Sequence, residues 1–111
     1  MVRHLAYLHV VTAGTRVRAT SLQTDPNKRI PCQAFLVQAA PANTGIGVVG
    51  DATVSYATMA GVWGIIGTPS GTTILPAFVA KHNVAPGPFN LADVYLDSAT
   101  DGQRFIISYV A

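Results

Sequence analysis

The sequence predicts an all-β fold: a single domain, residues 1–111, built as a β-sandwich or jelly roll of about eight short strands. Short runs rich in Val, Ile, Thr, Tyr and Phe are separated at intervals of about ten residues by Gly, Pro, Asn and Asp. Apolar residues rarely recur at the spacing of a helix, and where they do the segment is soon interrupted by Gly or Pro. Strands joined by short turns explain both observations.

The candidate strands cover residues 2–11, 15–21, 33–39, 46–49, 52–57, 62–66, 72–80, 93–97 and 104–110. The turns between them contain residues that tolerate a positive φ, such as Gly14, Asn27 and Gly102. Residues 90–93 form one candidate helical turn, which Asn90 can cap. The order of strands and turns therefore suits two packed antiparallel sheets.

The last candidate strand alternates most clearly. Phe105, Ile107 and Tyr109 fall on one face of a strand that spans residues 104–110. Ile106 and Val110 fall on the opposite face. We therefore expect that both faces of this strand are covered.

The middle of the chain is almost free of charge. Between Ile30 and Ala80 the only charged residue is Asp51. Charged residues are 11% of the chain, against about a quarter in an ordinary soluble domain, and hydrophobic residues are 50%. A domain this small buries only about two-thirds of its unfolded surface, so we expect that some apolar surface lies in a protein–protein contact. The alternative is a monomer made soluble by Ser, Thr, Gln and Asn.

The predicted contact is self-association through residues 59–78. This region is where the chain lacks charge for longest, as the centre of an obligate interface does. The candidate interface residues are Met59, Trp63, Ile65, Ile66 and Phe78. Trp63 suits either a buried core strand, which its apolar neighbours favour, or an anchor inserted into a neighbouring molecule.

One glycine motif matches the dinucleotide-binding pattern. Gly45-Ile-Gly47-Val-Val-Gly50 has the Gly-x-Gly-x-x-Gly spacing. That pattern binds a pyrophosphate only where it follows a strand and begins a helix, and here strand-forming residues follow it. We therefore expect that these glycines serve a turn and a closely packed hairpin, and we predict no cofactor.

Three aspartates recur at a spacing of four. Asp93, Asp97 and Asp101 resemble the beginning of a calcium loop, but Ala99 and Ser108 stand where further ligands are needed. A turn between the last two strands explains the same residues. We predict no metal site.

The sequence predicts no catalytic residues. Cys32 is the only cysteine, and a small buried hydrophobe is the commonest role of a free thiol. A nucleophilic cysteine needs a nearby base, and the three histidines give no supporting motif. We therefore expect that the protein is not an enzyme.

Neither a nucleic acid nor a membrane is an expected partner. Arg16, Arg18, Lys28 and Arg29 are the closest approach to a basic cluster, and they suit a solvated edge better than a nucleic-acid surface. No run of about eighteen apolar residues is present, as a membrane-spanning helix would need.

Two segments resemble a known family. Ile30-Pro-Cys-Gln-Ala-Phe-Leu-Val-Gln-Ala-Ala-Pro-Ala-Asn-Thr-Gly-Ile-Gly-Val-Val-Gly-Asp51 and Leu91-Ala-Asp-Val-Tyr-Leu-Asp-Ser-Ala-Thr-Asp-Gly102 resemble the central and closing segments of small structural proteins of tailed bacteriophages. They cover about a third of the chain. The resemblance implies a β-sandwich virion component, such as a capsid decoration (cement) protein on the outer capsid surface, with the major capsid protein as its partner and with association as a homotrimer.

Two other functions stay open at this point. The chain could be a tail, neck or fibre-associated subunit, which is also structural. It could instead be a carbohydrate-binding module that attaches the particle to its host, with Trp63 and Tyr56 as stacking platforms.

Overall fold

The computed structural model describes residues 2–10, 12–69, 77–81 and 89–110. The strands are β1 Val2–Val10, β2 Val17–Arg18, β3 Pro31–Cys32, β4 Ala34–Ala39, β5 Gly47–Gly50, β6 Val62–Ile66, β7 Ala77–Lys81, β8 Phe89–Asn90, β9 Tyr95–Ser98 and β10 Gln103–Val110. One turn of 3-10 helix, Leu91–Asp93, lies between β8 and β9, and the Asn90 side chain accepts a hydrogen bond from the Ala92 N–H as the predicted cap. Within the described ranges no helix is long and apolar enough to cross a membrane.

The strands form two four-stranded sheets. The first sheet has the order β1-β10-β4-β7 and the second has the order β2-β9-β5-β6. A short ladder of β3 and β8 forms a third, two-stranded sheet. All of these pairs are antiparallel. The predicted all-β fold is confirmed.

The core lies between the two large sheets. Its buried side chains come from β1, β4 and β10 of the first sheet and from β5, β6 and β9 of the second. Phe35 on β4 contacts two further rings, Phe89 at 5.5 Å in an edge-to-face arrangement and Phe78 at 6.0 Å. Because both sheets contribute to one apolar cluster, their opposite faces point outward.

The alternation predicted for the last strand is present. Phe105 and Ile107 are fully buried and Tyr109 packs against the core from the same face of β10. Ile106 and Val110 are only half-buried on the outer face. The described residues therefore bury this outer face of β10 only in part, although we expected both faces to be covered.

One predicted strand is wrong. Residues 52–57 form two turns joined by irregular backbone instead, although their sequence alternates as a strand does. The Asp51 carboxylate accepts hydrogen bonds from the Thr53 N–H at 2.8 Å and the Thr53 hydroxyl at 2.5 Å, and the Val54 N–H donates to the Asp51 carbonyl at 3.0 Å. These local bonds satisfy the backbone in a turn, so the strand propensity of the segment does not decide its structure.

Other boundaries differ less. The strand predicted at 15–21 is reduced to β2, because turn hydrogen bonds begin at Arg18, whose carbonyl accepts from the Ser21 N–H. The strand predicted at 72–80 is observed from Ala77 onward, and its first part lies outside the described residues. The ladder of β3 and β8 is an element that the sequence patterns did not predict.

Candidate interaction surfaces

The exposed apolar side chains of β6 form the first candidate surface. Trp63 is 48% exposed and Ile65 is 57% exposed, whereas Ile66 is 1% exposed and belongs to the core. Successive residues of a strand face opposite ways, so Ile65 lies on the outer face of the second sheet. We call Trp63 and Ile65 the β6 surface.

A bulge accompanies Trp63. Val62 pairs with Gly50 and Gly64 pairs with Val49, so Trp63 is the extra residue between two successive pairs. A bulge twists the strand and redirects a side chain. The favoured interpretation of Trp63 as a core residue is wrong, and the alternative of an exposed anchor fits its position.

Two of the predicted interface residues lie inside the fold. Ile66 packs in the core, and Phe78 is half-buried against it. Gly64 on β6 lies so close to the Phe78 ring that any Cβ at this position would overlap it. Phe78 therefore joins the edge strands of the two sheets and is not an exposed contact residue.

Met59 is exposed in an unusual backbone conformation. It is 47% exposed with a φ of 57°, and it is the one non-glycine residue with a positive φ in the described part of the chain. This conformation costs a residue with a Cβ about 1–2 kcal/mol. The turn before β6 thus presents a large apolar side chain to solvent at some cost in stability.

The second candidate surface is a groove on the outer face of the first sheet. Its outward-facing lining residues, which we call the sheet groove, are Ala34, Leu36, Val79, Ser108 and Val110. Leu36 pairs with Ser108 on one side and Val79 on the other, so the groove crosses β10, β4 and β7. The groove has a volume of about 240 Å³, and Val79 is 61% exposed. The sequence predicts that this face of β10 is covered, but it does not indicate a groove there.

The structure gives the aspartates of the supposed calcium loop other partners. Asp97 is 1% exposed; its Oδ1 accepts from the Gly14 N–H at 2.9 Å and the Ser98 N–H at 2.8 Å, and its Oδ2 accepts from the Tyr56 N–H at 3.0 Å. Asp101 accepts from the Ala13 N–H at 2.7 Å. Main-chain donors therefore occupy the Asp97 carboxylate, which joins two loops to the second sheet.

No metal-ligand cluster is found in the described ranges. No three His, Cys, Asp or Glu side chains there lie close enough to hold one ion. The Asp51 carboxylate lies apart in its own turn, where the hydrogen bonds from the Thr53 hydroxyl and N–H hold its pKa below its ordinary value.

The glycine motif lies in strands and a turn, as expected. Gly47 and Gly50 are the two ends of β5, which is paired with β9 on one side and β6 on the other. A Cβ at Gly47 would overlap the Phe105 ring, and a Cβ at Gly50 would overlap the Gly61 carbonyl. Gly47 therefore allows the two large sheets to approach closely, and Gly50 allows close packing of the hairpin of β5 and β6.

Cys32 is a buried hydrophobe, as predicted. It is 1% exposed in the core, and burial raises the pKa of its thiol to about 11. A thiol with so high a pKa is almost entirely protonated near neutral pH, and the thiolate is the nucleophilic form.

Arg18 was predicted to lie on a solvated edge, but its side chain is partly buried. It is half-buried, with its guanidinium 5.6 Å from the centre of the Tyr95 ring, and it donates to the Ala92 carbonyl at 2.5 Å and the Asn27 side chain at 2.7 Å. Arg16 donates to the Val54 carbonyl at 3.2 Å. Both arginines hold loops of the chain together.

The segments 30–51 and 91–102 are neighbours in the fold. β3 pairs with β8 immediately before the second segment, and β5 pairs with β9 inside it. The buried side chain of Gln103 accepts from the N–H groups of Thr44 and Gly45 at 2.8 and 2.9 Å. No protein-family model, curated protein or solved structure matches the chain.

Proposed function

We propose that this chain is a noncatalytic virion protein of a tailed bacteriophage: a decoration (cement) protein on the outer capsid surface. In this proposal it binds the major capsid protein, associates with further copies of itself as a homotrimer, and ties neighbouring coat subunits together. The resemblance of residues 30–51 and 91–102 to small phage structural proteins motivates the assignment.

The observation that carries the proposal is the presence of two uncharged apolar surfaces on different faces of one sandwich. The β6 surface belongs to the second sheet and the sheet groove belongs to the first. Large contiguous apolar patches on a protein surface mark interaction sites, whereas single exposed apolar side chains are ordinary. With two surfaces that face different ways, one copy can contact two partners at once.

The mechanism is mass action. A protein that binds only the assembled shell stabilises that state by RT ln(1 + [L]/Kd), about 2.7 kcal/mol per site when the free protein is at a hundred times its Kd. A shell repeats this gain over many sites. The chain needs no chemical step for this function, only complementary surface.

The test compares particles with and without the protein. Shells that lack it should assemble but release the genome at a lower temperature when heated. Adding purified protein back should restore the release temperature. Equal release temperatures would contradict the cement function and favour a tail, neck or fibre-associated subunit, which leaves head stability unchanged. Partial dissociation of virions separates these locations, because a head protein is lost in many copies.

A host carbohydrate-binding module is the second candidate, and the exposure of Trp63 supports it. An aromatic ring that is 48% exposed can stack on a sugar face. A glycan array with the wild-type chain and Trp63→Ala tests this function. Binding that depends on Trp63 would favour the module, and binding to no glycan would leave the structural function in front.

A further inference from the structure

We infer that copies of this chain associate head to tail, with the β6 surface of one copy packed into the sheet groove of the next. This inference rests on the self-association in the proposed function and specifies its two contact surfaces. Trp63 and Ile65 are the inserted side chains. Leu36, Val79 and Ser108 line the surface that receives them.

The two surfaces are different patches on the outer faces of different sheets, so a contact that joins them is not symmetric. Ile65 lies on the outer face of the second sheet, because Ile66 next to it is in the core. Leu36 lies on the outer face of the first sheet, because Phe35 and Val37 on either side are in the core. A twofold contact joins one patch to the same patch, whereas a contact between two different patches is head to tail.

The groove is large enough for the side chain that would enter it. An apolar protein cavity of about 150 Å³ binds benzene. The sheet groove has a volume of about 240 Å³ and an apolar lining and is open to solvent, so it can receive an aromatic ring along one face. Trp63 is the only tryptophan in the chain and is half exposed.

The two surfaces also match in charge. None of the described lining residues of the sheet groove is charged, and Lys81, which pairs with Ala34, is a charged residue at one end of the groove. Trp63 and Ile65 are themselves uncharged, and Asp51, whose carboxylate lies beside Gly61, is the only charged residue between Ile30 and Ala80 in the sequence. A charged partner would leave its own charge buried and unpaired in either surface, at a large cost in free energy. A second copy supplies an uncharged surface for each of them.

The experiment measures the native mass of the full chain and two variants. Trp63→Ser removes the inserted ring, and Val79→Asp places a charge in the groove. Each variant alone should associate about tenfold or more weakly than the wild type. Leu22→Asp is the matched control, because Leu22 is 65% exposed and belongs to neither surface. It should keep the wild-type mass.

Mixing the two variants gives the decisive measurement. Trp63→Ser keeps an intact groove and Val79→Asp keeps an intact β6 surface, so one head-to-tail contact can form between them. The mixture should contain a complex of one copy of each and nothing larger. Circular dichroism and thermal melting confirm that each variant is folded. Ser108→Arg is a second groove variant should Val79→Asp fail to fold.

Three results would overturn the inference. The first is a wild-type chain that stays monomeric at every concentration. The second is wild-type association in Val79→Asp together with dissociation in Trp63→Ser, which indicates contact between two β6 surfaces. The third is the absence of a one-to-one complex in the mixture. The genome-release temperature of shells is measured in a different experiment and does not depend on which surfaces join two copies. The cement function is therefore tested separately.

Discussion

The side-chain amide of Asn43 forms two hydrogen bonds with the main chain of Arg104. Asn43 Nδ2 donates to the Arg104 carbonyl at 2.7 Å, and Asn43 Oδ1 accepts from the Arg104 N–H at 2.8 Å. The Ala40 N–H donates to the same carbonyl at 3.0 Å. Since Ala39 pairs with Phe105 in the ladder of β4 and β10, these bonds continue that ladder past its last pair.

Asn43→Ala should lower the free energy of unfolding by about 1–3 kcal/mol. Asn43 is 6% exposed, and the change removes two hydrogen bonds to a partly buried main chain. Urea unfolding followed by fluorescence measures the loss. The neighbouring exposed change Ala42→Ser is the control, with an expected effect within about 0.5 kcal/mol. Equal effects of the two changes would contradict the role given to Asn43.

Asp97→Asn should destabilise the fold by about 2–4 kcal/mol. The carboxylate accepts hydrogen bonds from three main-chain N–H groups, and an asparagine side chain offers one acceptor oxygen and a donor group that would face an N–H. Asp93→Asn, on an exposed side chain, is the matched control and should change stability by less than about 0.5 kcal/mol. Thermal melts of both variants measure the difference. A large loss in Asp93→Asn as well would point to net charge as the cause.

Cys32 should make stability fall with rising pH in the alkaline range. Burial raises the pKa of its thiol from 9.0 to about 11, so the folded chain keeps a proton that the unfolded chain releases. The free energy of unfolding therefore falls as the pH rises from about 9 to about 11, by up to roughly 2–3 kcal/mol from this group, and is unaffected by it at neutral pH. Urea midpoints across this range measure the slope. Cys32→Ala should reduce that slope, and an identical slope would show that other groups cause it.

The sequence predicts the fold class because strand alternation and turn residues are local signals. β10 is the clearest case, since the inward residues Phe105 and Ile107 stand two apart and are both fully buried. Residues 52–57 carry the same alternation and still form turns, since the side chain of Asp51 provides local hydrogen bonds that a strand cannot use. A competing local bond is not visible in the pattern of apolar residues.

The candidate surfaces are harder to predict, because exposure depends on distant parts of the chain. Trp63 and Ile66 are both apolar and three residues apart, yet one is 48% exposed and the other 1%. The two side chains lie on opposite faces of β6, as residues an odd number of positions apart do, and only the fold shows that the face of Ile66 is covered while the face of Trp63 is not. The sheet groove likewise combines β4, β7 and β10, which no sequence window brings together.

Ile65→Asp and Phe78→Asp should have different effects, although both residues were candidates for the same interface. Ile65 is 57% exposed, so its replacement should leave the melting temperature of the monomer nearly unchanged while the native mass falls to that of a single chain. Phe78 packs against the core and 6.0 Å from the Phe35 ring, so Phe78→Asp removes core packing and places a charge there, at a cost of about 3–5 kcal/mol. We expect unfolding or aggregation from that change, seen by thermal melting and by the loss of soluble protein.

If both variants keep the wild-type mass and solubility, residues 59–78 do not form the contact between copies. If Ile65→Asp also unfolds the chain, Ile65 stabilises the fold itself and is not simply an exposed contact residue.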